Sequence, residues 1–192
     1  MVELIIIGVI VLVLIVLILW IVGTYNALIT TEKHAENSWA NIDVQLKRRA
    51  DLIPNLIETV KGYAKFEKNV LTEVTNARSA ILQAKTPAAS AKGENMLSGA
   101  LKSIFAVAEN YPTLKANENF KALQEELSST ENKIAFSRQF YNDMVMKWNI
   151  MILQFPTNIV ANMFGKGTEK EFFEITDVEK KNVKVDFSDL SK

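Results

Sequence analysis

The 192-residue chain has no cysteine and a single histidine, His34. Zinc sites built on cysteine and histidine are excluded by that count, and so are disulfides and a cysteine-linked lipoprotein anchor. His34 lies on a polar stretch and reads as a solvated helix residue. No Gly-x-Gly-x-x-Gly loop, Walker lysine loop or Gly-x-Ser-x-Gly elbow occurs, and the Glu-x-x-His pairs of di-iron bundles are missing. Any acid–base or nucleophilic chemistry would have to come from carboxylates and hydroxyls alone, and no cofactor is expected. An excess of one charge is absent as well: 22 lysines and arginines balance 22 aspartates and glutamates. A nucleic-acid binder would carry a basic stripe or patch, so no nucleic acid is expected as a partner, and no motif points to a small-molecule substrate.

What the chain does have is an uninterrupted apolar run from Leu4 to Val22, closed by Trp20 and free of charge, proline and amide. At about 1.5 Å per residue it reaches roughly 28 Å, close to the roughly 30 Å of a bilayer's hydrocarbon core. The run therefore reads as a single transmembrane anchor over residues 1–24. A cleaved signal peptide would need a basic amino end, a shorter apolar stretch and a small-residue cleavage site. Met1-Val2-Glu3 supplies no basic residue, and Gly23-Thr24-Tyr25-Asn26 is a poor cleavage site. Basic residues lie only on the carboxyl side, at Lys33, Lys47, Arg48 and Arg49, which places the N-terminus outside and the rest in the cytoplasm. The expected location is the bacterial inner membrane.

From Trp39 onward apolar residues recur in steps of three and four: Trp39, Ile42, Leu46, Arg49, Ile53, Leu56, Val60, Tyr63, Glu67, Val70, Val74, Ala77 and Ile81. Such spacing keeps one stripe facing a partner over many turns and marks nearly parallel packed helices, as in bundles and coiled coils. Pro54 falls inside the pattern. Because the phase continues across it, a kinked but continuous helix is expected, with a turn at Pro54 as the alternative. Gly23 alone only weakens a helix, so the anchor can run on into residues 25–53. Thr86-Pro87 has the form of a cap and first helical position. Residues 88–95 read as a loop or frayed turn, followed by a short helix over about 96–109 that Tyr111-Pro112 ends. A second stripe then steps through Phe120, Leu123, Leu127, Thr130, Ile134, Ser137, Tyr141, Met144, Trp148, Met151 and Phe155, and Phe155-Pro156 stops it. The fold expected is all-α: the anchor, then an antiparallel bundle of long helices over 25–164. Residues 165–192 form a charged tail, partly disordered or loosely docked, with Phe172, Phe173 and Phe187 as its bulky residues.

Charges on the stripes stand out, because a charge on a packed seam costs several kcal/mol unless it is paired. Arg49 and Glu67 lie on the first stripe and Arg138 flanks the second. Arg49 or Arg138 is expected to meet a carboxylate of the opposing helix, with Asp51, Glu58, Glu67 and Glu131 as candidates. The alternative is that these side chains snorkel to water. Lys47-Arg48-Arg49 is a basic cluster that could touch anionic lipid only if the domain folds back on the membrane.

Residues 39–64, Trp-Ala-Asn-Ile-Asp-Val-Gln-Leu-Lys-Arg-Arg-Ala-Asp-Leu-Ile-Pro-Asn-Leu-Ile-Glu-Thr-Val-Lys-Gly-Tyr-Ala, and Val74-Thr75-Asn76-Ala77-Arg78 resemble the LemA family of bacterial membrane proteins. The resemblance extends to Tyr25–Leu28, to Tyr111–Lys115, to Glu131–Asn142 and to Phe155–Phe164, and stops there. It implies an N-terminal single-pass anchor, a cytoplasmic bundle of long antiparallel helices and no established enzymatic activity. Gene neighbourhood in the family, near membrane metallopeptidases, hints at envelope quality control. Asp43, Arg48, Arg49, Asp51, Asn55 and Glu58 fall in the family's densest motif, and Arg138, Tyr141 and Asn142 in the later one. Together they are the candidate site, either an internal polar network or an exposed partner surface.

The function expected from these features is a membrane-anchored scaffold or interaction protein, in contact with lipid through its anchor and binding itself or another membrane protein. The alternative is a protein that binds or remodels the bilayer surface through the basic cluster and the Phe-rich end.

Overall fold

The computed structural model describes residues 1–62 and 68–173, all of it helix, turn or irregular chain. Helix α1 runs from Val2 to Lys61 without a break, at about 1.5 Å per residue roughly 90 Å of rod. It passes through Gly23, where nothing crowds the backbone, and through Pro54. The proline has no N–H for the carbonyl of Ala50, one turn earlier, and would leave it open. That carbonyl is filled from outside the helix: Arg78 Nε donates to it at 2.9 Å. The helix survives its proline because another element supplies the missing donor.

The remaining helices are α2 (Lys68–Gln83), α3 (Pro87–Ala108), α4 (Pro112–Ala116), α5 (Glu118–Leu153) and α6 (Thr157–Met163). The described chain divides into two units, one of Met1–Arg49 with Glu126–Phe172 and one of Ala50–Glu125 with Phe173. Tyr63 and Glu67 of the first stripe, and residues 174–192 with Phe187, lie outside the described residues.

In the first unit α1 and α5 pack antiparallel. Thr31 meets Met151, its hydroxyl 3.4 Å from the sulfur. Trp39 meets Tyr141 with ring centroids 5.6 Å apart, and Arg49 meets Glu131 at 3.1 Å. Numbers rise along one helix as they fall along the other. The stripe residues supply the seam: Ile42, Leu46, Ile134, Tyr141 and Trp148 are all buried. Each such aliphatic side chain contributes on the order of 1.5–3 kcal/mol when withdrawn from water. The stripe fails at its last position, since Phe155 remains 75% exposed.

In the second unit α2 and α3 form a hairpin. Val70, Val74, Ala77 and Ile81 of α2 are buried, as are Leu97, Leu101 and Ile104 of α3. Here the structure corrects the expected loop at 88–95, because α3 already begins at Pro87. Thr86 caps it by accepting from the Ala89 N–H at 3.2 Å, and Pro87 takes the first helical position. Gly93 is a contact residue rather than a breaker: a Cβ there would come within 3.0 Å of the Ile81 backbone nitrogen. A second difference is a break before the last long helix. Asn117 Oδ1 accepts from the Phe120 N–H at 3.1 Å, capping α5 and separating it from the short α4.

Candidate functional site

Arg49 is the most heavily buried charged residue of the candidate set, with 1% of its surface exposed. It reached that position because it occupies a seam step of α1, where the 3-4 spacing turns it toward α5. Its Nη2 donates to Glu131 Oε2, a carboxylate that remains half in water at 52% side-chain exposure. Arg48, on the next face, pairs with Glu126. Two of the three residues of the basic cluster are therefore engaged by carboxylates of α5. Glu131 was among the expected partners of Arg49; Glu126 was not considered.

Tyr141 is buried against Trp39, and its hydroxyl donates to the Glu171 carbonyl at 2.8 Å. Burial raises its pKa above the ordinary phenol range, with the Glu171 carboxylate adding to the effect. This hydrogen bond belongs to a strap, residues 166–171, whose main chain is held by side chains of α5. Trp148 Nε1 donates to the Thr168 carbonyl at 3.0 Å. Asn149 binds Lys170 twice, accepting from its N–H at 2.9 Å and donating to its carbonyl at 3.1 Å. Lys170 Nζ stands 5.4 Å from the centre of the Trp148 ring. Lys166 pairs with Glu32 of α1 at 2.6 Å. This part of the expected tail is thus bound to the helices. Trp148 and Asn149 were missed as site residues; the signal available was an amide, Asn149, directly between Trp148 and the apolar run Ile150–Leu153.

The candidate residues are divided between the two units. Arg48, Arg49 and Tyr141 engage α5 or the strap as described, while Arg138 and Asn142 are half-buried and Asp43 is exposed. In the second unit Asp51 and Asn55 are exposed, and Glu58 pairs with Lys61 at 2.7 Å. Glu58 also lines an open groove of about 490 Å³ with Pro54, Ile57, Leu71, Thr75 and Arg78. On the surface of α1, Lys33 and Glu36 pair at 2.7 Å; the contact raises the lysine's pKa and lowers the glutamate's. Among the described residues no group of three or more His, Cys, Asp or Glu could hold a metal ion. The arrangement is one of ion pairs between α1 and α5 and of α5 side chains clamping the main chain of the strap.

A family model described as the LemA family matches residues 38–187, most of the chain. The chain belongs to the LemA family. The match runs beyond Phe164, so it includes the tail in which no family motif was recognised. This LemA-family chain is 29% identical over 173 residues to Protein LemA of Metamycoplasma hominis, covering 88% of this chain and 76% of that protein. It is 24% identical over 176 residues to the magnetosome protein MamQ of Magnetospirillum gryphiswaldense, with 78% and 65% covered. To magnetosome protein MamQ 2 of Paramagnetospirillum magneticum it is 25% identical over 167 residues, with 73% and 61% covered. The LemA-family chain thus spans about three fifths to two thirds of the length of its MamQ relatives. Its described secondary-structure elements are all helices, and its N-terminal helix is long and apolar enough to cross a membrane.

Proposed function

We propose that this chain is a membrane-anchored, non-enzymatic scaffold of the bacterial inner membrane, with the N-terminus outside and the bundle in the cytoplasm, binding a second copy or another membrane protein. The observation that carries the reading is on the outer side of α5, where Phe136 and Phe140, one turn apart, are 74% and 52% exposed. A contiguous pair of rings left in water is a feature of binding surfaces. The ionised groups nearer the seam support it, since Arg48 and Arg49 are occupied by Glu126 and Glu131. Those pairs disfavour the alternative in which the basic cluster holds lipid. Neither the family description nor the relatives' names are those of enzymes.

The test is the mass of the detergent-solubilised full-length protein by light scattering at several concentrations, beside photo-crosslinking in cells from a reactive residue at position 136. An oligomer that dissociates on Phe136→Ser with Phe140→Ser, or a discrete crosslink to one membrane protein, is the expected result. A monomer at every concentration together with no crosslink overturns the reading.

A further inference from the structure

Between Lys147 and Lys166 the chain carries no charged side chain, the longest such interval after Glu32. This interval is the end of α5, the turn at Phe155-Pro156 and helix α6. One side of it is packed: Val160 and Ala161 form a cluster with Leu28, Trp148 and Ile152, against which Ile21 and Tyr25 also pack. The Tyr25 and Phe164 rings are 4.6 Å apart. The other side faces outward with large apolar residues: Leu153, Phe155, Ile159 and Met163 are each more than half exposed, Phe155 most at 75%, and the polar side chains exposed among them, Gln154 and Asn162, are uncharged amides. Ile159 and Met163 are one turn apart and share a face of α6. In water this would be an uncovered apolar end on an otherwise charged bundle.

Its depth says what covers it. Ile21 lies in the last turn of the apolar run, so α6 stands level with the point where α1 leaves the hydrocarbon. The stretch Ile21 to Leu28 is about 10 Å of helix, and the interfacial layer outside a roughly 30 Å core is about 5–7 Å thick on each side. The tip falls within or just against that layer. A helix with one face on its own protein and an uncharged apolar face outward suits burial by about 5–10 Å at the boundary of head groups and acyl chains. From this continuity with the span we propose that the tip Leu153–Phe164 is a second membrane-contacting element. It inserts into the leaflet from which α1 emerges and takes phospholipid acyl chains as its ligand. The proposal rests on the reading of α1 as a span. Its consequence is a two-point attachment, span and tip, that holds α1 against rocking in the bilayer.

The cysteine-free sequence makes the test direct. Single cysteines at Leu12, Phe155, Ile159 and Lys133 in the full chain are spin-labelled in phosphatidylethanolamine and phosphatidylglycerol vesicles. Access of oxygen is then compared with that of a water-soluble nickel chelate, helicity being checked for each variant. Leu12 reports the span, and Lys133, exposed on α5, reports water. The expected result is an oxygen-to-nickel ratio at 155 and 159 several-fold above that at 133 and approaching that at 12. Ratios at 155 and 159 equal to that at 133, with 12 in lipid, overturn the insertion alone. Low access of both reagents at 155 and 159 means protein contact and also overturns it. A water-accessible label at 12 overturns the span reading itself.

Discussion

Arg78 is intelligible only beside Pro54. The proline removes the N–H that the Ala50 carbonyl would have used, and Arg78 Nε replaces it at 2.9 Å. Losing that donor while the carbonyl stays buried costs about 1–3 kcal/mol, so Arg78→Met is expected to lower stability to urea by that amount. In a Pro54→Ala background the helix supplies its own N–H, and Arg78→Met should then cost much less. Equal costs in the two backgrounds would refute the repair. Arg49 behaves differently, because its partner Glu131 is half in water. Removing the carboxylate leaves a guanidinium buried, whereas Arg49→Met removes the charge itself, and such swaps are often neutral or stabilising. Glu131→Ala is thus expected to be destabilised by about 1–3 kcal/mol and Arg49→Met to be near wild type in thermal unfolding; the reverse order would show that the pair is a net source of stability. Arg49 was legible in the sequence because a charge on a 3-4 stripe needs a partner. Arg78 was not, since what it serves is a backbone atom that no pattern displays.

The helical elements were readable where apolar spacing carried them and misread where packing decided. Residues 88–95, with serine, lysine and glycine among alanines, have weak periodicity and looked like a loop. They are helical because Thr86 caps them and because Gly93 lets α2 approach to a distance no Cβ would permit. The strap was invisible for another reason: what α5 binds is its main chain. Its Tyr141 anchor carries a pH signature. Burial raises the tyrosine's pKa in the folded protein, while the unfolded value is about 10. A raised folded value contributes stability that is fully present below the unfolded pKa and is lost as pH rises through the folded one. Wild type is therefore expected to lose stability relative to Tyr141→Phe above about pH 10. Parallel curves for the two proteins through that window, in denaturant titrations, would remove Tyr141 from the account.

At the scale of the whole molecule, α1 joins the apolar N-terminal run and the residues that follow it in one element, with neither Gly23 nor Pro54 interrupting it. The phase of the stripe across Pro54 gave that continuity in advance, because an arbitrary loop would not have preserved it. The all-helical class and an N-terminal helix long and apolar enough to cross a membrane were equally legible, since both depend on composition and spacing over tens of residues. The clustering of Val160 and Ala161 with Leu28 was not, as it requires the fold to return α6 to the part of α1 just past the apolar run. The proposed orientation makes a simple prediction. Lys133→Cys in intact cells should resist a membrane-impermeant maleimide and react after permeabilisation; labelling of intact cells would invert the topology.

The clamps on the strap grip the carbonyls of Thr168, Lys170 and Glu171 and the N–H of Lys170. Every amino acid offers the first kind of group, and all but proline offer the second. The clamps themselves therefore demand no particular letter at those three places, proline at 170 excepted, and what constraint remains there comes from Lys170 beside the Trp148 ring and from the Glu171 carboxylate near Tyr141. A segment of this kind keeps its place in the fold largely through the residues that grip its backbone, and most substitutions within it leave that grip intact.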